Sequence, residues 1–385
     1  RMHCGENEEK MGKNTAMTGG GLRELVGTRA FYKKVLLVAV PIMIQNGITN
    51  FVSLLDNIMV GQVGTEQMSG VAIANQLVFI FNLCIFGAVA GAGILGAQFY
   101  GSGNSEGVRD TFRFKLLFGV ILSAIFAVIF LTVGEPLIQQ FIHQGEGIGD
   151  LEATRSYGKA YLEVIVIGIL PFALTQCYSG TLRETGETVI PMIAGIIAVL
   201  VNLVFNYILI FGKLGAPELG CVGAAIATVL SRFVELAIVA GWTHKHVARN
   251  PFIRGALRSF KIPGSLLKQI IAIGLPLFIN ELMWSFGITF MTQCYSVRGL
   301  EVVAAFNIAN TISNVFNVVF LSLGNAVGII IGQMLGAGRL EEAKREDKQL
   351  IAFSVFCCFL TGAMLILLSP LFPRMYNTEE IVKEL

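Results

Sequence analysis

Nine apolar windows recur along the 385-residue chain, at about residues 34–58, 67–100, 110–133, 154–182, 188–212, 219–243, 265–297, 301–335 and 347–371. A helix needs about 20 apolar residues to cross a bilayer's hydrocarbon core, and every window is long enough. Hydrocarbon offers a backbone no water to bond, and a helix satisfies its own N–H and C=O groups. The pattern predicts an all-α polytopic membrane protein. Composition agrees: 54% of residues are hydrophobic and 14% charged, against about a quarter charged in an average soluble domain.

The charges that remain sort by connection. Arg29, Lys33 and Lys34 precede the first window. Arg109, Arg113 and Lys115 follow the second, Arg183 the fourth, and Arg339, Lys344, Arg345 and Lys348 the eighth. The longest basic connection follows the sixth window, with Lys245, Arg249, Arg254, Arg258 and Lys261. Alternate connections are poor in Lys and Arg, most clearly 134–152. The positive-inside rule then places the amino terminus in the cytoplasm of a bacterial-type cell, with the chain in its cytoplasmic membrane. Residues 1–32 are polar, lack the apolar core of a secretory leader, and read as a flexible cytoplasmic arm.

A net charge of +2 without a dense basic run gives no reason to expect nucleic acid. The seven cysteines form no C-x-x-C pair and the four histidines no H-E-x-x-H, so neither a metal centre nor any cofactor is expected, and no convergent nucleophile and base suggests an enzyme.

Shifted against itself by 235 residues, the chain matches residues 41–106 to 276–341 without a gap, about sixteen of the 66 positions being identical. Two greasy helices agree by chance at Ile, Leu, Val and Ala. Here Pro41 meets Pro276, Asn75 meets Asn310, Gln98 meets Gln333, and Gly101 and Gly103 meet Gly336 and Gly338. A duplication is therefore inferred: two parallel-repeat helical lobes, with a substrate path between them. Residues 33–246 supply the first lobe, 247–263 a cytoplasmic inter-lobe loop, and 264–385 three helices and the start of a fourth. The second lobe is thus incomplete, as if a twelve-helix protein were truncated.

Several polar groups sit where lipid would penalise them. The first window carries Gln45, Asn46, Thr49, Asn50, Ser53, Asp56 and Asn57 at helical spacing, and the eighth Asn307, Asn310, Thr311, Asn314 and Asn317. Such stripes serve as interhelical hydrogen-bonding groups or line a water-filled cavity, for which Gln45, Asn46, Asn50, Asn280, Asn310 and Asn314 are the candidates. Ionisable groups at membrane depth mark transport or relay sites, and Asp56 and Glu281 are the two of greatest interest. Arg232 and Glu235, three apart, are expected to neutralise each other as a structural pair. Asn202 and Asn206 share a helix face, with Thr228 on the next helix; carboxylate and amide oxygens suit Na⁺ or water.

Five segments resemble the multidrug and toxic compound extrusion (MATE) family of the MOP superfamily: LLDNIMVGQVG at 54–64, TLRETGETVIPM at 181–192, VNLVFNYILIFG with GCVGAAIAT, GAQFYGSGN, and GQMLGAGR. The resemblance implies twelve helices in two six-helix lobes and export of amphiphilic or cationic small molecules in exchange for H⁺ or Na⁺. It further implies that Asp56, Asn202 and Thr228 form a coupling site in the first lobe, with Asn206 standing where the family has a second carboxylate. Glu281 is similar to a coupling acid of the seventh helix, and Pro41, Pro276, Gln98, Gln333 and Arg183 fall within shared motifs. A monomer embedded in lipid is expected. The alternative is a flippase for lipid-linked glycans, whose phosphates would call for several cavity Arg or Lys; apart from Arg232 the windows nearly lack them.

One further motif needed a decision. Residues 91–96, GAGILG, fit the G-x-G-x-x-G of dinucleotide sites, but no strand precedes them. The glycines are expected to serve close helix packing.

Overall fold

A computed structural model describes residues 25–141, 150–296 and 300–368. The amino-terminal arm up to residue 24, the stretch around Glu146, the side chain of Asn310 and the expected start of a tenth helix lie outside the described residues. The helices are α1 (Arg29–Gly61), α2 (Thr65–Gly101), α3 (Ser105–Phe141), α4 (Leu151–Glu184), α5 (Val189–Ile210), α6 (Gly220–Lys245), α7 (Gly264–Ser296), α8 (Leu300–Gly336) and α9 (Leu340–Leu368), with short 3₁₀ turns in two connections. Among the described residues nine helices are long and apolar enough to span a membrane. The first four exceed their apolar windows at both ends, and polar caps continue several of the helices beyond the apolar residues. The Thr28 hydroxyl accepts from the Phe31 N–H at 3.2 Å, the Asp150 carboxylate accepts from Glu152 and Ala153, and Asn104 accepts from Gly107.

The repeat has a local physical counterpart. At the end of α2 the Asn104 N–H reaches the Phe99 carbonyl and the Gly103 N–H the Tyr100 carbonyl; at the end of α8 Arg339 reaches Met334 and Gly338 reaches Leu335. Both are Schellman caps, whose penultimate residue must be left-handed. Gly103 and Gly338 supply it, with φ of 74° and 73°.

Helices α2, α3, α4 and α6 pack around Phe81, Ile85, Phe130, Tyr161, Leu162 and Ile169. α2 meets α4 closely at Gly70 and Gly158, where an added Cβ on Gly70 would stand 2.7 Å from backbone atoms of α4. Small residues allow this approach, which in a membrane gains van der Waals contact that hydrophobic exclusion does not supply. α1 packs on α5 and on α8, and α2 on α7 and α8. These two helices therefore join the first six helices to the last three. α7 and α9 turn large apolar side chains outward, among them Trp284, Phe286, Phe359 and Ile366, as suits lipid or further protein.

Candidate functional site

The polar residues of α1, α5 and α6 converge at one point inside the first six helices. Asn202 and Asn206, one turn apart on α5, are 5% and 1% exposed. The Asn206 amide donates to Asp56 Oδ1 at 2.5 Å. The Asn202 amide has two available orientations. With its nitrogen toward α1 it donates to Asp56 Oδ1 and Oδ2 at 3.0 and 3.3 Å, and its oxygen accepts from the Thr228 hydroxyl at 3.3 Å. Turned by half a revolution, its oxygen accepts from Asn206 at 3.1 Å and its nitrogen donates to Thr228. In that second orientation the amide oxygen faces the carboxylate, a repulsive contact unless a proton or cation lies between. Asn206 Oδ1 is buried and has no hydrogen-bond partner among the described residues. A buried carboxylate, a reorientable amide, a hydroxyl and an unpartnered amide oxygen are hard donors of the kind that hold Na⁺ or exchange a proton.

Arg232 lies one turn beyond Thr228 on α6, 3.7 Å from Glu235 and with its guanidinium 4.6 Å above the Phe172 ring. The expected pair is present.

The rest of the predicted stripe divides. Gln45 accepts from Arg183 at 2.5 Å, joining α1 to α4, and Asn46 donates to Ser322 of α8 at 3.2 Å. Asn50, Asn280 and Asn314 are exposed. Glu281, on α7, is half-buried and is not part of the Asp56 cluster. Pro41 and Pro276 lie inside α1 and α7.

At the basic ends of the helices, first-half and second-half segments close against each other. A Cβ on Gly101 would overlap the Gln333 carbonyl, and one on Gly336 would overlap the Gln98 carbonyl. The Gln333 amide donates to the Glu184 carbonyl at 2.7 Å. Lys34 pairs with Glu346 at 3.3 Å, over a cluster of Phe31, Val35, Ile330 and Met334. Deeper contacts follow at Gly91 against Gly274 and Gly87 against Phe278. Among the described residues, the contacts joining the two sets of helices run from these basic ends to about mid-helix.

Two sequence expectations need correction here. Lys115, counted among the basic connection residues, is 1% exposed. Its Nζ stands 2.6 Å from both Glu184 carboxylate oxygens and 3.2 Å from the Thr181 hydroxyl. And while Gly87 and Gly91 do serve helix packing, Gly93 and Gly96 make room for that carboxylate: a Cβ on either would run into a Glu184 oxygen. The available signal was a lone lysine near the start of one apolar window and an acid, Glu184, at the end of the next.

A family model described as MatE matches residues 41–208 and 276–385. The chain belongs to the MatE family. It is a membrane transporter and not an enzyme. It is similar to a probable multidrug resistance protein NorM of Thermotoga maritima, 28% identical over 92% of this chain and 74% of that one. The multidrug resistance protein MdtK of Edwardsiella ictaluri is 26% identical over 90% of this chain and 74% of its own length. Among solved structures, an outward-facing multidrug resistance MATE family transporter of the MOP superfamily superimposes with a TM-score of 0.82 at 23% identity, covering 94% of this chain and 78% of that one. A MATE in the bent conformation gives 0.79 at 24% identity, covering 92% and 76%. The all-α, polytopic, MATE-like fold agrees with the resemblance carried by the quoted motifs.

Proposed function

We propose that this MatE protein exports small amphiphilic or cationic molecules by antiport with H⁺ or Na⁺, its two lobes, 33–246 and 264–385, alternately opening a cavity between them to either side. The observation that carries the reading is the cluster of Asp56, Asn202, Asn206 and Thr228. It confines a carboxylate among side-chain oxygens where a small cation or a proton is the fitting occupant. Occupancy neutralises Asp56 and lets the Asn202 oxygen turn inward, so filled and empty states favour different arrangements of α1, α5 and α6. Such a difference is what lets one ligand bias a two-state equilibrium. α1 also touches α8 through Asn46 and Ser322, which gives the bias a direct route to the second lobe. Glu281 on α7 is assigned a second coupling role there.

The basic helix ends are assigned to the cytoplasm, so the Gly101–Gly336 closure is the inner seal and the cavity opens outward. Relatives named as multidrug resistance proteins support the substrate class, as do MATE structures described in complex with MaD3S and MaL6. The test is ethidium export from vesicles containing the protein, under imposed H⁺ or Na⁺ gradients, with Asp56→Asn and Glu281→Gln. Each variant should abolish gradient-driven export while leaving ethidium binding intact. Export at the parent rate in both would remove these residues from coupling.

A further inference from the structure

A cavity of about 410 Å³ opens at the basic end of the molecule, between the start of α3 and the connection leading into α7, lined by Glu106, Arg109, Asp110, Arg113 and the run Lys261–Pro263. Its charges are not equally engaged. Arg113 is fully occupied: it donates to Asp110 at 2.9 Å and to the carbonyls of Ala256 and Gly255 at 3.0 and 2.8 Å. It therefore neutralises Asp110 and pins the connection to α3, forming a wall. Arg109 is less well matched. Among the described residues its only ion-pair contact is Glu106 at 4.0 Å, a side chain 85% exposed, whereas that of Arg109 is 23% exposed. Its Nε is shielded from solvent and has no hydrogen-bond partner among the described residues. Lys261, exposed on the opposite wall, has no acidic partner among the described residues. The cavity thus presents one half-buried guanidinium with a distant acidic partner and one exposed ammonium.

We infer that it binds the phosphodiester headgroup of an anionic phospholipid, Arg109 and Lys261 each meeting the phosphate. Guanidinium and ammonium groups suit phosphate oxygens, and basic pockets between membrane helices on this face take anionic headgroups. The surroundings favour lipid over a soluble phosphate. The rim includes Ile262 and Pro263. Below it Phe114 of α3 and Leu266 and Ile270 of α7 join one apolar cluster with Ala92 and Leu95 of α2, and Leu117, Phe118 and Ile121 on α3 and Leu267 and Ile271 on α7 are exposed. These apolar side chains suit the acyl chains of a bound lipid. Because α3 belongs to the first half and Lys261 leads into α7, a bound headgroup would bridge the first six helices and the last three at the basic end.

The test is native mass spectrometry of the purified protein titrated with phosphatidylglycerol or phosphatidylcholine of identical acyl chains. The parent should retain phosphatidylglycerol preferentially. Arg109→Ala/Lys261→Ala should weaken that retention by about 30-fold, the worth of two basic groups at a membrane surface. Lys261→Ala alone, at an exposed position, should weaken it by about fivefold. Arg249→Ala/Arg254→Ala removes the same charge from exposed sites outside the cavity and should change it less than twofold. The inference fails if the parent shows no preference, if the Arg249/Arg254 variant loses as much as the cavity variant, or if millimolar inorganic phosphate displaces the lipid from the parent.

Discussion

Alanine at Gly101 or Gly336 tests the seal between the two halves. Both glycines have ordinary helical backbone, so alanine is conformationally acceptable there, unlike at Gly103 and Gly338 with their positive φ. The strain lies entirely between α2 and α8: the new methyl of residue 101 enters the space of the Gln333 carbonyl, and that of 336 the space of Gln98. Carbon and oxygen must then part by on the order of 1 Å to regain contact distance. Overpacking of this kind costs about 1–3 kcal/mol. It is felt only while the basic ends are together, and in the parted state the methyl is free. The equilibrium should therefore move toward the parted state by about 5- to 150-fold per substitution. The assay is the distance between spin labels at Ser102 and Ala337, both exposed and just past the contact, with the exposed Cys294 and Cys358 replaced by serine. Gly101→Ala and Gly336→Ala should each add a longer-distance population, and the double variant should make it dominant. Gly103→Ala, which strains the cap equally in both states, should lower thermal stability without that population. Unchanged distances in both single variants would refute the reasoning.

Lys115→Met leaves Glu184 buried without its cation and should lower stability by about 3–5 kcal/mol, read as earlier thermal unfolding in detergent; Lys115→Met/Glu184→Gln should recover most of the loss, and equal loss in both would show that the pair is not the cause. Gly96→Ala pushes a methyl against the Glu184 carboxylate and should destabilise by about 1–3 kcal/mol, with Glu184→Ala suppressing the effect. Asn206→Asp sets a second carboxylate beside Asp56, so the folded protein should gain sodium-dependent thermal stabilisation; a melting temperature indifferent to Na⁺ would argue against a cation site.

The sequence alone determined the class of fold. Long apolar windows permit only self-satisfied helices in hydrocarbon, and the Schellman glycines at 103 and 338 mark where two of them stop because no other residue type takes that φ without strain. The polar i, i+4 pair on α5 and the acid on α1 were also readable, since helical spacing fixes which residues share a face. What spacing does not fix is which faces meet. The 2.5 Å contact of Asn206 with Asp56 depends on how α1 crosses α5. Lys115 shows the limit most clearly. In sequence it is one more positive residue near a basic connection; in the fold α3 turns it inward, α4 brings Glu184 to it, and α2 admits the carboxylate because Gly93 and Gly96 carry no side chain. Three segments distant in sequence share that one buried charge pair, and only tertiary packing, where the low dielectric makes an unpaired charge so unfavourable, decided that they must.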